Sequence, residues 1–187
     1  DHARHPNIPL PRDLLLPQRK NSRGIEFGER AALERLIAAV AGETAPVTAA
    51  PLIGGTAPPE TARPLVSPID RATSIGSVIE ASSADIEAAI TAARDGFAAW
   101  RATPAQARAK MLEHAADLLE DRAARFIALL QREGGKTLDD ALSEVREAAD
   151  FCRYYAAQGR KLFGADQALP GPTGESNVLR LRGRGIF

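Results

Sequence analysis

The stretch REGGKTLDDALSEVREAADFCRYYAAQGRKL (residues 132–162) decides how the rest of the chain is read. "GG" at 134–135 stops one helix, because glycine enters the left-handed conformation that commonly ends helices. "KTLDD" opens the next: Thr137 and Asp140 have the spacing of a capping box. From there Ala141, Val145, Ala148, Cys152, Tyr155, Gly159 and Leu162 recur at helical intervals and predict a core-facing stripe. A second stripe runs beside it, Glu144, Glu147, Phe151 and Tyr154, which puts two carboxylates and two aromatic rings on one face. That face reads either as a solvated acidic edge knitted by neighbouring charges or as the wall of a cleft.

Two further helices precede this one. "ASSAD" starts the first, with Ser82 or Ser83 as cap and Asp85 in the first turn, and its stripe is Ile86, Ile90, Ala93, Phe97 and Trp100. Trp100 closes that stripe and is expected in the core. "ATPAQ" starts the second, with Thr103 as N-cap and Pro104 at the first helical position. The stripe Met111, Ala115, Leu118, Leu119, Phe126, Leu129 and Leu130 predicts one unbroken helix up to the glycine pair.

Ten of the 13 prolines lie before Ser82, so the N-terminal part is punctuated differently. Residues 1–24 predict an extended, polar connector that lies across a surface, since proline fixes φ and removes backbone donors. A short helix is expected at about Gly28 to Val40, with Leu33, Leu36, Ile37 and Val40 on one stripe. Short strands are expected at Pro64–Val66 and Ser74–Ala81. After Gly164 the texture changes to strand, turn, strand: Asn177, Leu179 and Leu181 alternate with Val178, Arg180 and Arg182, an edge-like pattern. Ile186 and Phe187 read as the start of another core element.

Composition excludes more than it assigns. The 24 basic and 24 acidic residues balance, which gives no electrostatic case for nucleic acid. The single cysteine, Cys152, forms no internal disulfide and lies on an apolar stripe, so it reads as a structural residue and not a nucleophile. His2, His5 and His114 lack metal-ligand spacing. His114 falls on a helix face and is expected at the surface. "GGK" at 134–136 lacks the setting of a phosphate loop, and "GRG" at 183–185 lacks a third glycine, so Lys136 reads as a solvated residue. No apolar run or signal-peptide pattern is present, and the default compartment is the cytoplasm.

Residues 97–162, with their order "AW…TP…AADLLE…REGGKT…EV..A.DF.RYYA", resemble the N-terminal helices of the NAD(P)-dependent aldehyde dehydrogenases. "RPLVSPIDRATSIGSVIEAS" at 63–82 resembles that family's opening strands. "IPLPRDLLLPQRKNSRGIEF" and "EVREAADFCRYYA" are similar to the proline utilization A family, bifunctional bacterial flavoenzymes. In these a proline dehydrogenase barrel precedes an L-glutamate γ-semialdehyde dehydrogenase module.

The resemblance implies an α/β, aldehyde dehydrogenase-like fold: N-terminal strands, three long helices and the start of the oligomerisation hairpin, cut before the Rossmann core is complete. It implies a connector with a short helix at 1–47 and the N-terminal part of the NAD-binding domain at 48–187. It implies NAD for aldehyde oxidation, with a site mostly beyond this chain, and FAD for the preceding module. The nucleophilic cysteine and general-base glutamate are expected beyond residue 187, so no residue here is assigned a catalytic role. Glu147, and one turn earlier Ser143, fall where the family's aldehyde tunnel is lined. A homo-oligomer formed through 168–182 and peripheral membrane contact of the complete protein are further implications. The rival readings are a monofunctional aldehyde dehydrogenase of other specificity and a non-catalytic structural copy of the fold.

Overall fold

The computed structural model describes residues 7–55 and 62–186; His2, His5 and Phe187 lie outside the described residues. The centre of the molecule is a helical cluster in which the long helix α5 (Leu138–Phe163) is held between α3 (Ala105–Asp121) and α4 (Ala123–Gly134). Leu36 of α1 (Arg30–Gly42), Ile127 of α4, and Ala141, Leu142 and Val145 of α5 form one buried cluster. Ile25 and Phe27 from the connector pack against it. Ile127 is fully buried, a stabilisation of roughly 2 kcal/mol.

The α3–α5 seam is built differently. The apolar residues buried along it are small: Ala109 and Ala116 on α3, Ala149 and Ala156 on α5. Small side chains let two helices approach closely, and charged groups lock the seam. Arg153 donates through Nη2 to Asp117 at 2.8 Å and to Glu120 at 2.5 Å, while Arg160 makes a two-pronged bond to Glu113 at 2.5 and 2.7 Å. Burial pushes the Glu120 carboxyl up, but the Arg153 hydrogen bond, the Arg23 backbone N–H and the charges of both arginines outweigh it and leave the group below its ordinary value.

The helix starts agree with the sequence reading in two places. Ser82 and Asp85 form a reciprocal capping box at the start of α2 (Ser83–Ala102), and the Thr137 hydroxyl caps α5 by accepting from the Asp140 N–H at 3.2 Å. Gly135 ends α4 with φ 65°, the left-handed conformation expected of the glycine pair.

Elsewhere the expectations are corrected. Thr103 does not cap the second helix: it closes α2, its Oγ1 donating to the Ala99 carbonyl at 3.0 Å, and Pro104 precedes α3 without a side-chain cap. The single helix expected up to the glycine pair is two, because Arg122 at φ −106°, ψ 20° leaves the helical region between α3 and α4. The outer part of the stripe expected on α5 faces away from the core. Ala148 is exposed, Tyr155 is 58% and Leu162 48% exposed, and the buried positions in this half are Ala149, Arg153 and Ala156. Trp100 is half-exposed instead of buried, and no residue of α2 is fully buried. The short helix expected from Gly28 begins two residues later, at Arg30.

The strands form two small sheets. In the first, β1 (Val47–Ala49) pairs parallel with β3 (Ser74–Val78), which pairs antiparallel with β2 (Arg63–Val66). β1 was not expected, and β3 ends earlier than Ala81. Gly76 faces Val47, whose carbonyl oxygen occupies the place a side chain would take. In the second sheet β4 (Gln167–Leu169) and β5 (Asn177–Leu179) form the expected antiparallel hairpin, exposed on all six residues. Its second strand stops at Leu179, short of the alternation read as far as Arg182, and Ile186 is exposed, outside any strand.

Candidate functional site

The inner face of α5 is occupied by the core, so its opposite face is left to line something else. That face borders a groove of about 570 Å³ whose walls include Ser143, Glu147, Phe151 and Tyr154 of α5, together with Lys136 and Arg19. Ser143 and Glu147 are four residues apart, one turn of helix, and both border the same space. The second stripe of α5, Glu144, Glu147, Phe151 and Tyr154, lines it in full. Phe151 and Tyr154 remain 49% and 42% exposed on it.

The charges of the groove are largely matched within the protein. Lys136 Nζ donates to Glu144 Oε1 at 2.5 Å, and that bond, with the nearby carboxylate charges, raises the ammonium pKa above its ordinary value. Lys136, expected to be solvated, is a partly exposed wall residue with an ion-pair partner in Glu144. The Asp140 carboxylate accepts the Thr137 hydroxyl at 2.8 Å. Among the described residues, Glu147 and Arg146 have no ion-pair partner. An unpaired carboxylate beside apolar rings holds a cationic or hydrogen-bond-donating ligand group without displacing an internal partner. Tyr155, expected in the core, instead joins an aromatic cluster outside it: Phe151 stacks on it at 5.9 Å and Tyr154 meets it edge-on at 5.2 Å.

One wall comes from far away in sequence. Asp150 accepts the Ser22 backbone N–H at 2.7 Å and the Ser22 hydroxyl at 2.8 Å, with Arg19 Nη1 at 3.4 Å. Ser22 is buried, and Arg23 continues the attachment through its N–H to Glu120 and its guanidinium to Asp121 at 3.0 Å. Sequence reasoning expected the connector to cross a surface but identified neither Arg19 nor Asp150. The only signal available was proline density, which says that a segment is extended and not what it touches.

The remaining candidates stay quiet. Cys152 is half-buried on α5, and His114 is exposed as expected. Among the described residues no group of three His, Cys, Asp or Glu side chains gathers as for a metal, and no helix is long and apolar enough to cross a membrane. Gly183 and Gly185 lie in irregular chain; the start of α2 is closed by the Asp85 carboxylate and that of α5 by the Thr137 hydroxyl.

These elements, opening strands, a capped helix, the α3–α4–α5 cluster and a two-stranded hairpin, are those of a partial aldehyde dehydrogenase-like domain of mixed helices and strands. Residues 56–187 match the aldehyde dehydrogenase family, and the chain belongs to that family. Over 172 residues it is 38% identical to the bifunctional protein PutA of Klebsiella aerogenes, covering 89% of this chain and 13% of that protein. It thus spans about an eighth of the length of that relative. A crystal structure of a bifunctional proline utilization A protein matches with a TM-score of 0.77 and 56% identity, over 97% of this chain and 16% of that one. A 1-pyrroline-5-carboxylate dehydrogenase from Thermus with bound NAD matches with a TM-score of 0.72 and 27% identity, over 82% of this chain and 30% of that one.

Proposed function

We propose that this chain serves the NAD-dependent oxidation of L-glutamate γ-semialdehyde to glutamate, within a bifunctional enzyme whose FAD-containing proline dehydrogenase module comes first. The observation that carries the reading is the joint placement of Ser143 and Glu147 on one groove. Its support in sequence is the 89% of the chain that aligns with a bifunctional PutA protein. NAD, when bound, accepts the hydride from the aldehyde carbon. What this chain contributes is binding and orientation. Glu147 offers an acceptor to the substrate's α-ammonium group, Ser143 a hydroxyl that donates or accepts, and Phe151 with Tyr154 an apolar side for the methylene chain. A polar wall suits a small zwitterionic aldehyde, because a site built to bond polar groups rejects apolar analogues that leave those bonds unmade. We assign the exposed hairpin β4–β5 to self-association and the reaction to the cytoplasm.

The test is Glu147→Ala in the complete enzyme. The KM for the semialdehyde is expected to rise about tenfold, the loss of one charge-assisted bond, with the KM for NAD within twofold of wild type. Equal changes in both would return Glu147 to a solvated helix edge.

A further inference from the structure

At the C-terminal end of α5, three arginines meet without a carboxylate. The walls of a cavity of about 290 Å³ include Arg101 at the end of α2, Arg108 in the first turn of α3, Phe163 at the end of α5, and Arg182 with Gly183 in the chain after the hairpin. No Asp or Glu lines it. Among the described residues the side chains of Arg101, Arg108 and Arg182 form no ion pair and no hydrogen bond. Acceptors on α3 are already used: Arg160 donates to Gln106 at 2.6 Å and to both oxygens of Glu113 at 2.5 and 2.7 Å.

Aromatic contacts hold two of these cations instead. The Arg108 guanidinium lies over two rings, 5.9 Å from the centre of Trp100 and 5.6 Å from that of Phe163, and Arg101 lies 5.8 Å from that of Phe97. A ring face fixes a guanidinium and leaves its N–H edges free. A side chain at Gly183 would touch Phe97 at 3.5 Å and the Arg101 stem at 3.9 Å, so the segment bearing Arg182 lies against α2. Independently, Arg108 Nε is buried and has no acceptor among the described residues. A buried N–H left unmade is costly, so an acceptor entering the cavity recovers that cost. Unpaired like charges repel, and a multivalent anion turns the repulsion into attraction.

We propose that Arg101, Arg108 and Arg182 form a binding site for a phosphate group, with Arg108 Nε as its innermost donor. A tetrahedral dianion accepts from several guanidinium groups at once, whereas a planar carboxylate matches one fork. The bound group ties the chain after the hairpin to the ends of α2 and α5. A second cavity of about 250 Å³ shares Arg108 and Phe163 as walls and is otherwise apolar, with Trp100, Met111 and Leu112; it suits the apolar part of a phosphate ester. The site does not depend on the groove being an aldehyde entrance.

Phenylglyoxal, which modifies accessible arginines, reads the site in the complete protein. Arg101 and Arg182 are exposed, so both are expected to react, and peptide mapping follows each separately. Inorganic phosphate at about 10 mM, against chloride of equal ionic strength, is expected to slow both about tenfold, for a dissociation constant of about 1 mM. Arg35, whose side chain is 72% exposed, is the control and is expected to be unchanged. In Arg108→Gln phosphate is expected to bind about tenfold more weakly, and protection falls to about twofold. Phenyl phosphate separates the two sources of the group: stronger protection than by inorganic phosphate assigns an ester reaching the second cavity, equal or weaker protection the free anion. Protection no greater than that of Arg35 overturns the site, as does protection that survives Arg108→Gln unchanged. Arg101 and Arg182 unreactive without phosphate would mean that another part of the protein covers the cavity, which overturns it too. If Arg108→Gln fails to fold, Arg182→Gln carries the comparison through Arg101, and unchanged protection there overturns the proposal.

Discussion

Replacing Asp150 by Ala should detach the connector from the helical cluster while leaving α5 folded. Asp150 accepts two short hydrogen bonds from Ser22, at 2.7 Å from the amide and 2.8 Å from the hydroxyl. Ser22 is only 4% exposed, so both donors lose their acceptor in a place water barely reaches. A buried donor left unmade costs about 1–3 kcal/mol. The Arg19 contact at 3.4 Å adds little, because the distance is long and the pair half-wet. The attachments of Arg23 to Glu120 and Asp121 survive, as does the packing of Ile25 and Phe27. A net loss of about 3 kcal/mol is therefore expected, confined to residues near 19–22, and it multiplies the open population about a hundredfold. Trypsin reads this directly, since Arg19, Lys20 and Arg23 are its cleavage points in the strap. When closing is faster than cleavage, the cutting rate follows the open population. Connector cleavage of the complete protein should accelerate about a hundredfold in Asp150→Ala and about tenfold in Asp150→Asn, whose amide oxygen still accepts one bond. A rate within threefold of wild type would refute the claim that Asp150 is the anchor. First cuts inside α5 would show that the substitution unfolded the helix instead.

The other predictions concern the seam and the small sheet. Glu113 is held below the ordinary glutamate value of 4.5, by Arg160 before all else, and Glu120 lies below it despite burial. The folded chain thus binds fewer protons than the unfolded one, so this stability is fully present above about pH 4.5 and is lost as pH falls through the lowered values. Arg153→Ala should cost about 3 kcal/mol at neutral pH, because it strands Glu120 at the seam, and it should flatten the acid limb of a thermal-melt series. A melt series that keeps its wild-type pH slope would place the coupling elsewhere. Gly76→Ala should break the β1–β3 pairing, since the new methyl would meet the Val47 carbonyl oxygen. The expected cost is about 2 kcal/mol, seen as faster amide exchange in β1 with α5 unaffected.

What was legible in the sequence divides along one physical line. The starts of α2 and α5, the Gly135 stop and the hairpin each depend on a local bond or backbone angle, and those are written in neighbouring residues. The break at Arg122 has no glycine or proline to announce it. The seven-residue spacing from Leu119 to Phe126 keeps phase with a straight helix, so nothing local separated α3 from α4. On α5 the larger side chains misled. Tyr155 and Leu162 looked like core because they are big and apolar, yet the seam there is made by Ala149, Ala156 and the ion-paired Arg153. Close helix approach rewards small apolar side chains, so along the α3 seam the buried apolar residues of α5 are alanines. The Glu144–Glu147–Phe151–Tyr154 face was legible as a second, non-core face, because carboxylates along one turn are not packing, though sequence left open whether it is a solvated edge or a wall. Arg19 could not be found the same way. Its contact with Asp150 spans 131 residues, and only tertiary structure brings a connector cation to that helix face.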